Sequence, residues 1–95
     1  MKKHTKIYMD YFGYDIGDFI PSELSGRRAN DIHHIDARGM GGSNDKDVIE
    51  NLMALTRSEH ELYGDKPKFV EELRQKHFQF MESKGVFFER ITKLK

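Results

Sequence analysis

Two short apolar segments separated by a glycine-rich stretch constrain the fold of this chain most strongly. The first segment, residues 29–35, contains two adjacent histidines, His33 and His34. The second, residues 52–55, is apolar throughout and is followed by residues typical of a helix start. Short apolar runs that are bounded by Gly, Asn and Ser predict strands. We therefore expect two short strands, joined by a long loop and followed by a helix.

The loop and the helix start carry local signals of their own. Residues 36–51 are rich in glycine, and a loop of this length in a small domain is usually functional or disordered. The segment 56–59 fits a capping box, as does the overlapping segment 58–61. Either start places His60 in the first helical turn, and we expect Gly64 to end this short helix as its C-cap.

The flanking segments complete a predicted α+β domain. Residues 1–20 form an N-terminal arm, in which apolar and polar residues alternate over residues 7–11 and predict a strand. Asp65 is expected to cap a long C-terminal helix that has Pro67 in its first turn and ends near Gly85.

Composition and charge narrow the class of protein. Ninety-five residues form one small domain with one modest core. Sixteen basic residues balance sixteen acidic ones, so net charge gives no argument for a nucleic-acid partner. Residues 31–65 hold three basic and eight acidic residues, which suits a cation, whereas residues 66–95 hold eight and four. This basic third could lie along a phosphate backbone or form a solvated helix face.

The absence of cysteine and of long apolar runs excludes several kinds of site and of cellular location. The chain has no cysteine, which rules out disulfides and thiolate metal sites. No apolar run approaches the roughly 18 residues that a membrane span needs, and no apolar segment of signal-peptide length follows the basic N-terminus. We expect a cytoplasmic protein with no membrane partner.

The histidines supply the candidate chemistry. Imidazole binds divalent metals and is also the usual general base near neutral pH. Neighbouring strand residues point in opposite directions, so His33 can bind a metal while His34 faces a substrate. His60, in the first turn of the following helix, can face back toward His33. Asn51 can bond main-chain groups near His34 and hold the loop closed. Such an arrangement suits phosphodiester hydrolysis.

Other histidines and arginines have less specific interpretations. His4 and His77 are expected to be ordinary surface or core residues. Four arginines lie near the candidate site in the sequence: Arg27, Arg28, Arg38 and Arg57. Each could clamp a phosphate or be a surface side chain.

The segments 31–43 and 50–55, together with His60, resemble the HNH endonucleases, and are most similar to small stand-alone proteins of bacteriophages and prophages. The three letters of the family name fall on His34, Asn51 and His60. The resemblance covers about residues 21–65.

This resemblance implies a single HNH nuclease domain over residues 1–95. Its ββα-metal core would span residues 21–65, between the N-terminal arm of residues 1–20 and a C-terminal helical extension over residues 66–95. The expected fold class is therefore α+β.

The resemblance also implies an activity. HNH enzymes nick or cut DNA with one divalent ion, for which Mg²⁺, Mn²⁺, Ni²⁺ and Zn²⁺ are candidates here. By the resemblance, His34 is the general base, His33 and His60 are the metal ligands, and Asn51 braces the loop. DNA would be bound through its backbone in the minor groove, with weak base preference.

Two departures from the family pattern are informative. Many members hold a structural zinc with two Cys-x-x-Cys pairs, and the corresponding segments here are 22–25 and 56–59, which contain no cysteine. We therefore expect no structural zinc, with hydrogen bonds from Thr56 and Glu59 fixing the helix start instead. A third metal-binding histidine of some relatives corresponds to Gly64, so we expect two protein ligands completed by water.

Two other functions are compatible with the same residues. The chain could be a DNA-binding or assembly module that retains the ββα fold without cutting, or a nuclease toxin. A phage packaging protein or another protein is a further candidate partner, and the phage-type resemblance implies the cytoplasm of a bacterial host cell.

Overall fold

The computed structural model describes residues 1–36 and 46–86, with side chains described through Lys84. It is an α+β structure. The elements in chain order are helix α1 (Lys3–Phe12), strand β1 (Asp31–His34), a 3₁₀ turn (Ile49–Asn51), strand β2 (Leu52–Leu55), helix α2 (Arg57–Glu59), a π-helical turn (His60–Gly64), a 3₁₀ turn (Pro67–Phe69), helix α3 (Val70–Met81) and a final π-helical turn (Glu82–Val86). Within these ranges, no helix has the length and apolarity needed to cross a membrane.

The two predicted strands pair in an antiparallel sheet. In this register His33 lies opposite Met53, and His34 lies opposite Leu52. The regular part of β1 is shorter than the predicted segment 29–35, because Ala29 donates its N–H to Ile20 rather than to β2. Beyond the strand, the N–H of Ile35 donates to the Asn51 carbonyl at 2.9 Å and extends the pairing toward the loop.

Every residue of β2 is buried because helices cover both faces of the sheet. Met53 and Leu55 pack with Leu73 of α3 on one face. Leu52 and Ala54 pack with Tyr8 of α1 on the other. A strand buried on both faces is a continuous apolar run rather than an alternating one, which accounts for its sequence.

The predicted strand at residues 7–11 is wrong, because this segment lies within helix α1. Tyr8 and Phe12 are four residues apart and their rings pack together at a centroid distance of 4.7 Å, as expected on one side of a helix. Gly13 ends α1 with a φ of 77°, a left-handed conformation that favours glycine. Apolar alternation over so short a segment is compatible with either structure.

The start of the second helical segment is as predicted, but its end is not. Thr56 and Glu59 form the complete capping box. Gly64 is buried and does not adopt the left-handed conformation of a C-cap. Asp65 does not cap the next helix either, since Lys66 directly precedes the 3₁₀ turn that leads into α3 and makes no side-chain cap.

Positions 22, 25, 56 and 59 correspond to zinc-binding cysteines in the family that the sequence resembles. Hydrogen bonds join the four residues that occupy these positions here. The hydroxyl of Ser22 donates to Oε1 of Glu59, and Ser25 also bonds this carboxylate. The N–H of Thr56 donates to the same oxygen at 2.9 Å. Burial disfavours the ionised form of Glu59, but these bonds outweigh it and keep its pKa below the usual value. Hydrogen bonds from Thr56 and Glu59 therefore fix the helix start, as predicted.

A fully buried polar network connects both outer helices to the loop before β2. Nδ1 of His77 lies 2.8 Å from Oε1 of Glu23, and Nε2 of His77 lies 2.6 Å from the Ile49 carbonyl. The hydroxyl of Tyr8 donates to the other oxygen of Glu23. His77 is 0% exposed and is a core residue, one of the two outcomes expected from the sequence.

Candidate metal centre

His33 is a buried imidazole with an unused nitrogen. It is 4% exposed, and its Nε2 has no hydrogen-bond partner among the residues that the structure describes. The His60 ring lies 4.5 Å away between centroids. Burial, and next the neighbouring His60, lower the pKa of His33, which favours the neutral ring with a free lone pair. A buried polar atom left without a partner is costly unless a ligand fills the position.

His60 is oriented by a carboxylate that sequence reasoning left without a role. Its Nδ1 lies 3.1 Å from Oδ2 of Asp31 at the start of β1. Hydrogen bonding from Arg57 is the main cause that lowers the pKa of Asp31, so the carboxylate is ionised and accepts the hydrogen of Nδ1. In the neutral ring, the lone pair of His60 is then on Nε2. Metal-binding histidines commonly donate their other N–H to a carboxylate in this way.

Asp65 adds a third potential ligand to the two predicted histidines. Its Oδ2 lies 3.5 Å from Nε2 of His60. Ligand atoms of His33, His60 and Asp65 all lie within 4.8 Å of one another. The π-helical turn that ends at Gly64 brings Asp65 to this position, whereas its proximity to Pro67 suggested a helix cap. A carboxylate five residues after the candidate ligand His60 was the available signal.

The donor set fits a divalent metal ion. Two imidazole nitrogens and one carboxylate oxygen are ligands used for Zn²⁺, Ni²⁺ and Mn²⁺ in proteins. Nε2 of His33 has no hydrogen-bond partner among the described residues, and Nε2 of His60 faces the Asp65 carboxylate. The three residues therefore form a candidate metal centre at the junction of β1 with the helical turn after β2.

His34 belongs to a separate group of side chains beside this centre. Its Nε2 lies 2.7 Å from Oδ1 of Asp47. The hydrogen bond with His34 lowers the pKa of Asp47, so the carboxylate is ionised and accepts from Nε2–H. In the neutral ring, the lone pair of His34 is consequently on Nδ1. Asp47 has no predicted role, since it lies near the end of the long loop.

Helix α1 brings His4 to His34. The two rings are 4.5 Å apart between centroids, and both residues are half-buried. Burial, and next the neighbouring His34, lower the pKa of His4. Sequence reasoning assigned no specific role to His4, because a lone histidine is most often an ordinary surface or core residue.

Asn51 makes the main-chain contacts predicted for a loop brace. Its side-chain oxygen accepts from the N–H of Asp36 at 2.9 Å. Its amide group donates to the carbonyls of Asp36 at 3.2 Å and Lys46 at 3.1 Å. Asp36 and Lys46 are the described residues on either side of the segment 37–45, so one side chain links the two residues that flank this segment.

An open cavity of about 600 Å³ connects the two histidine groups. The metal centre and the pair of His4 and His34 line it, and Lys2 and Thr5 of the N-terminal segment lie at its wall. A phosphate in this cavity would therefore meet both groups of side chains.

The four predicted arginines differ in position. Arg57 forms a bidentate pair with Asp31 at 2.9 and 3.0 Å, which occupies its guanidinium. Arg27 and Arg28 are exposed, are not among the residues that line the cavity, and Arg28 lies over the ring of Phe19. Arg38 and the glycines that follow it lie outside the described residues.

Comparison of the chain with family models, with curated proteins and with solved structures gives no match. The function proposed below rests on the residues and geometry of this site.

Proposed function

We propose that this protein is a metal-dependent endonuclease of the HNH type that hydrolyses DNA phosphodiester bonds. The observation that carries the proposal is the buried, unpartnered Nε2 of His33. It faces the carboxylate-oriented imidazole of His60, and the next residue in the strand, His34, has an independently oriented imidazole. A metal centre and a base on adjacent residues are the two components that phosphodiester hydrolysis needs.

His33, His60 and Asp65 are the residues that would hold the ion. A divalent ion bound there supplies positive charge that stabilises the scissile phosphate and its leaving oxygen. Asp31 keeps the hydrogen of His60 on Nδ1 and thereby directs Nε2 to the ligand position.

His34 is the general base in this proposal. Asp47 accepts the hydrogen of Nε2, so Nδ1 is the atom that takes a proton from the attacking water. The ionised carboxylate then stabilises the imidazolium that forms, as the aspartate does in a Ser-His-Asp triad. The oxygen of that water bonds to phosphorus, and the bond from phosphorus to the leaving oxygen breaks.

Asn51 is a positioning residue. Its three main-chain hydrogen bonds hold Asp36, two residues after His34, and Lys46, the residue before Asp47, together. Loss of this side chain would displace Asp47 from His34. The expected result is slower chemistry with metal affinity retained.

Cleavage of supercoiled plasmid by the purified protein tests the proposal. The reactions contain Mg²⁺, Mn²⁺, Ni²⁺, Zn²⁺ or EDTA, and a single-stranded RNA of similar length tests the preference for DNA. His34→Ala is compared with Gln75→Ala, an exposed substitution on α3 that is purified in parallel.

We expect conversion of plasmid to open circle that requires metal, is abolished by EDTA and falls at least about 100-fold in His34→Ala. Gln75→Ala should match the wild type. Equal cleavage by His34→Ala would identify a contaminating nuclease and contradict the proposal. Metal binding without cleavage under any condition would favour the non-cleaving DNA-binding module.

A further inference from the structure

The side chains around His34 form a second potential ligand set. His4, His34 and Asp47 each offer a ligand atom, and these atoms lie within 4.8 Å of one another. All three residues are half-buried. They belong to α1, to the end of β1 and to the segment before the 3₁₀ turn, so none of them is shared with the metal centre.

His4 has the properties of a prepared ligand. Burial, followed by the neighbouring His34, lowers its pKa and favours the neutral ring. Its ring lies 4.5 Å from the His34 ring between centroids, at the wall of the open cavity.

We propose that His4, His34 and Asp47 bind a second divalent transition-metal ion, and that occupation of this site inhibits the enzyme. The binding step stands on these three residues alone. The inhibition rests on the proposed function, because it requires His34 to be the general base.

Inhibition follows from the two nitrogens of one imidazole. In the structure, Nε2 of His34 carries the hydrogen that Asp47 accepts, and Nδ1 has the lone pair. An ion on Nε2 needs the lone pair there, so the hydrogen moves to Nδ1 and the ring stays neutral. No nitrogen then remains to take a proton from water. Binding of the second ion and catalysis therefore exclude each other.

The ligand chemistry predicts which ions inhibit. Two imidazoles and one carboxylate favour Zn²⁺ and Ni²⁺, whereas Mg²⁺ prefers oxygen ligands and retains its waters. High Mg²⁺ should therefore leave the second site empty. Excess Zn²⁺ should fill it.

Calorimetric titration of the tag-free protein with Zn²⁺ alone, together with metal analysis after equilibrium dialysis, tests the binding step. The variants are His4→Ala, Asp47→Asn and a matched control on the same helix, Lys6→Ala, which removes an exposed side chain. We expect two ions per chain for the wild type and for Lys6→Ala. In His4→Ala and Asp47→Asn, the affinity for the more weakly bound of the two ions should fall at least about tenfold.

The inhibition is tested by adding Zn²⁺ to plasmid cleavage at a constant concentration of whichever other ion gives the highest activity. Activity of the wild type and of Lys6→Ala should fall as the second event saturates. The Zn²⁺ concentration that halves activity should rise at least about tenfold in His4→Ala. Each variant is compared with its own activity before zinc is added, and circular dichroism confirms that it is folded.

One ion per chain in the wild type, or an unchanged second event in His4→Ala and Asp47→Asn, would overturn the second site. A second event without a loss of cleavage would overturn the inhibition alone. If no ion supports cleavage, the proposed function fails, and the stoichiometry of the variants still decides whether the second site exists.

Discussion

A Cβ placed on Gly64 would lie 2.6 Å from Cδ2 of His60, closer than real side chains approach one another. The same Cβ would lie 3.1 Å from Cε1 of His33. Both candidate metal ligands are thus in contact with one glycine main chain. Gly64 is glycine because of this close approach, and not because of a left-handed conformation.

Gly64→Ala is expected to weaken metal binding at the first site at least about tenfold, because the added methyl must displace the His60 ring. Isothermal titration with Ni²⁺ measures the change. Gly17→Ala is a useful control, since its Cβ would meet nothing within 4 Å while its φ of 94° is strained. That variant should lose stability and retain its affinity for the ion. An equal loss of affinity in both variants would contradict the role of the close contact.

Asp31→Asn should lower metal affinity by about 10- to 100-fold, because His60 loses the carboxylate that holds its hydrogen on Nδ1. Arg57→Ala removes the partner of the same carboxylate but leaves the bond to His60, so its effect should be smaller. Parallel titrations with Zn²⁺ compare the two variants. A larger loss in Arg57→Ala would show that the ion pair, and not the orientation of His60, matters most.

Glu59→Ala should reduce the free energy of unfolding by about 1–3 kcal/mol, since one carboxylate completes the capping box and accepts from Ser22. Urea denaturation measures the loss. Glu61→Ala changes an exposed neighbour and should stay within about 0.5 kcal/mol of the wild type. Similar losses in the two variants would mean that the hydrogen-bonded cluster contributes little.

Cysteines at positions 22, 25, 56 and 59 should bind zinc, because the structure already brings these four positions together. The variant Ser22→Cys, Ser25→Cys, Thr56→Cys and Glu59→Cys is expected to take up one additional Zn²⁺ per chain and to melt at a higher temperature with zinc than with EDTA. The same variant with Ser22 retained is the control and should bind more weakly. Tetrahedral thiolate coordination of Co²⁺, seen by absorbance, would identify the site. Its absence would show that the segments lie in a different geometry.

His77→Phe should destabilise the fold by about 3–5 kcal/mol, because it leaves the buried carboxylate of Glu23 without its imidazole partner. Glu23→Leu should be costly for the same reason. The double variant should lose less than the sum of the two, with a coupling of about 1–3 kcal/mol. Chemical denaturation of the wild type, the two single variants and the double variant measures this coupling. Additive losses would mean that the two side chains do not act as a pair.

The sequence predicted β2 and the helix start after it better than it predicted the N-terminal segment. The run of residues 52–55 and the Thr56 capping box are short-range signals, and both elements form as predicted. The contacts of Asn51 also follow the prediction. In contrast, α1 was predicted as a strand, because its packing partners on the sheet are distant in sequence and periodicity over a few residues does not distinguish the two structures.

The candidate site shows the same division. His33 and His60 come together as the sequence predicted, because the antiparallel pairing of β1 with β2 places β1 beside the helical segment that follows β2. Asp31, Asp65 and His4 were not predicted as members of the site. The role of Asp31 depends on its pairing with Arg57. The position of Asp65 depends on the π-helical turn, and that of His4 depends on helix α1, which was predicted as a strand. Such geometry arises from tertiary packing, which a local pattern does not reveal.

The network of Tyr8, Glu23 and His77 also determines whether the histidine motif could be moved to another protein. A fragment of residues 21–65 alone would lack Tyr8 and His77. The carboxylate of Glu23 would then have neither partner, and both faces of β2 would be uncovered. A transplanted motif would therefore need α1 and α3 with it. A graft of the candidate site would therefore have to include the whole hydrophobic core.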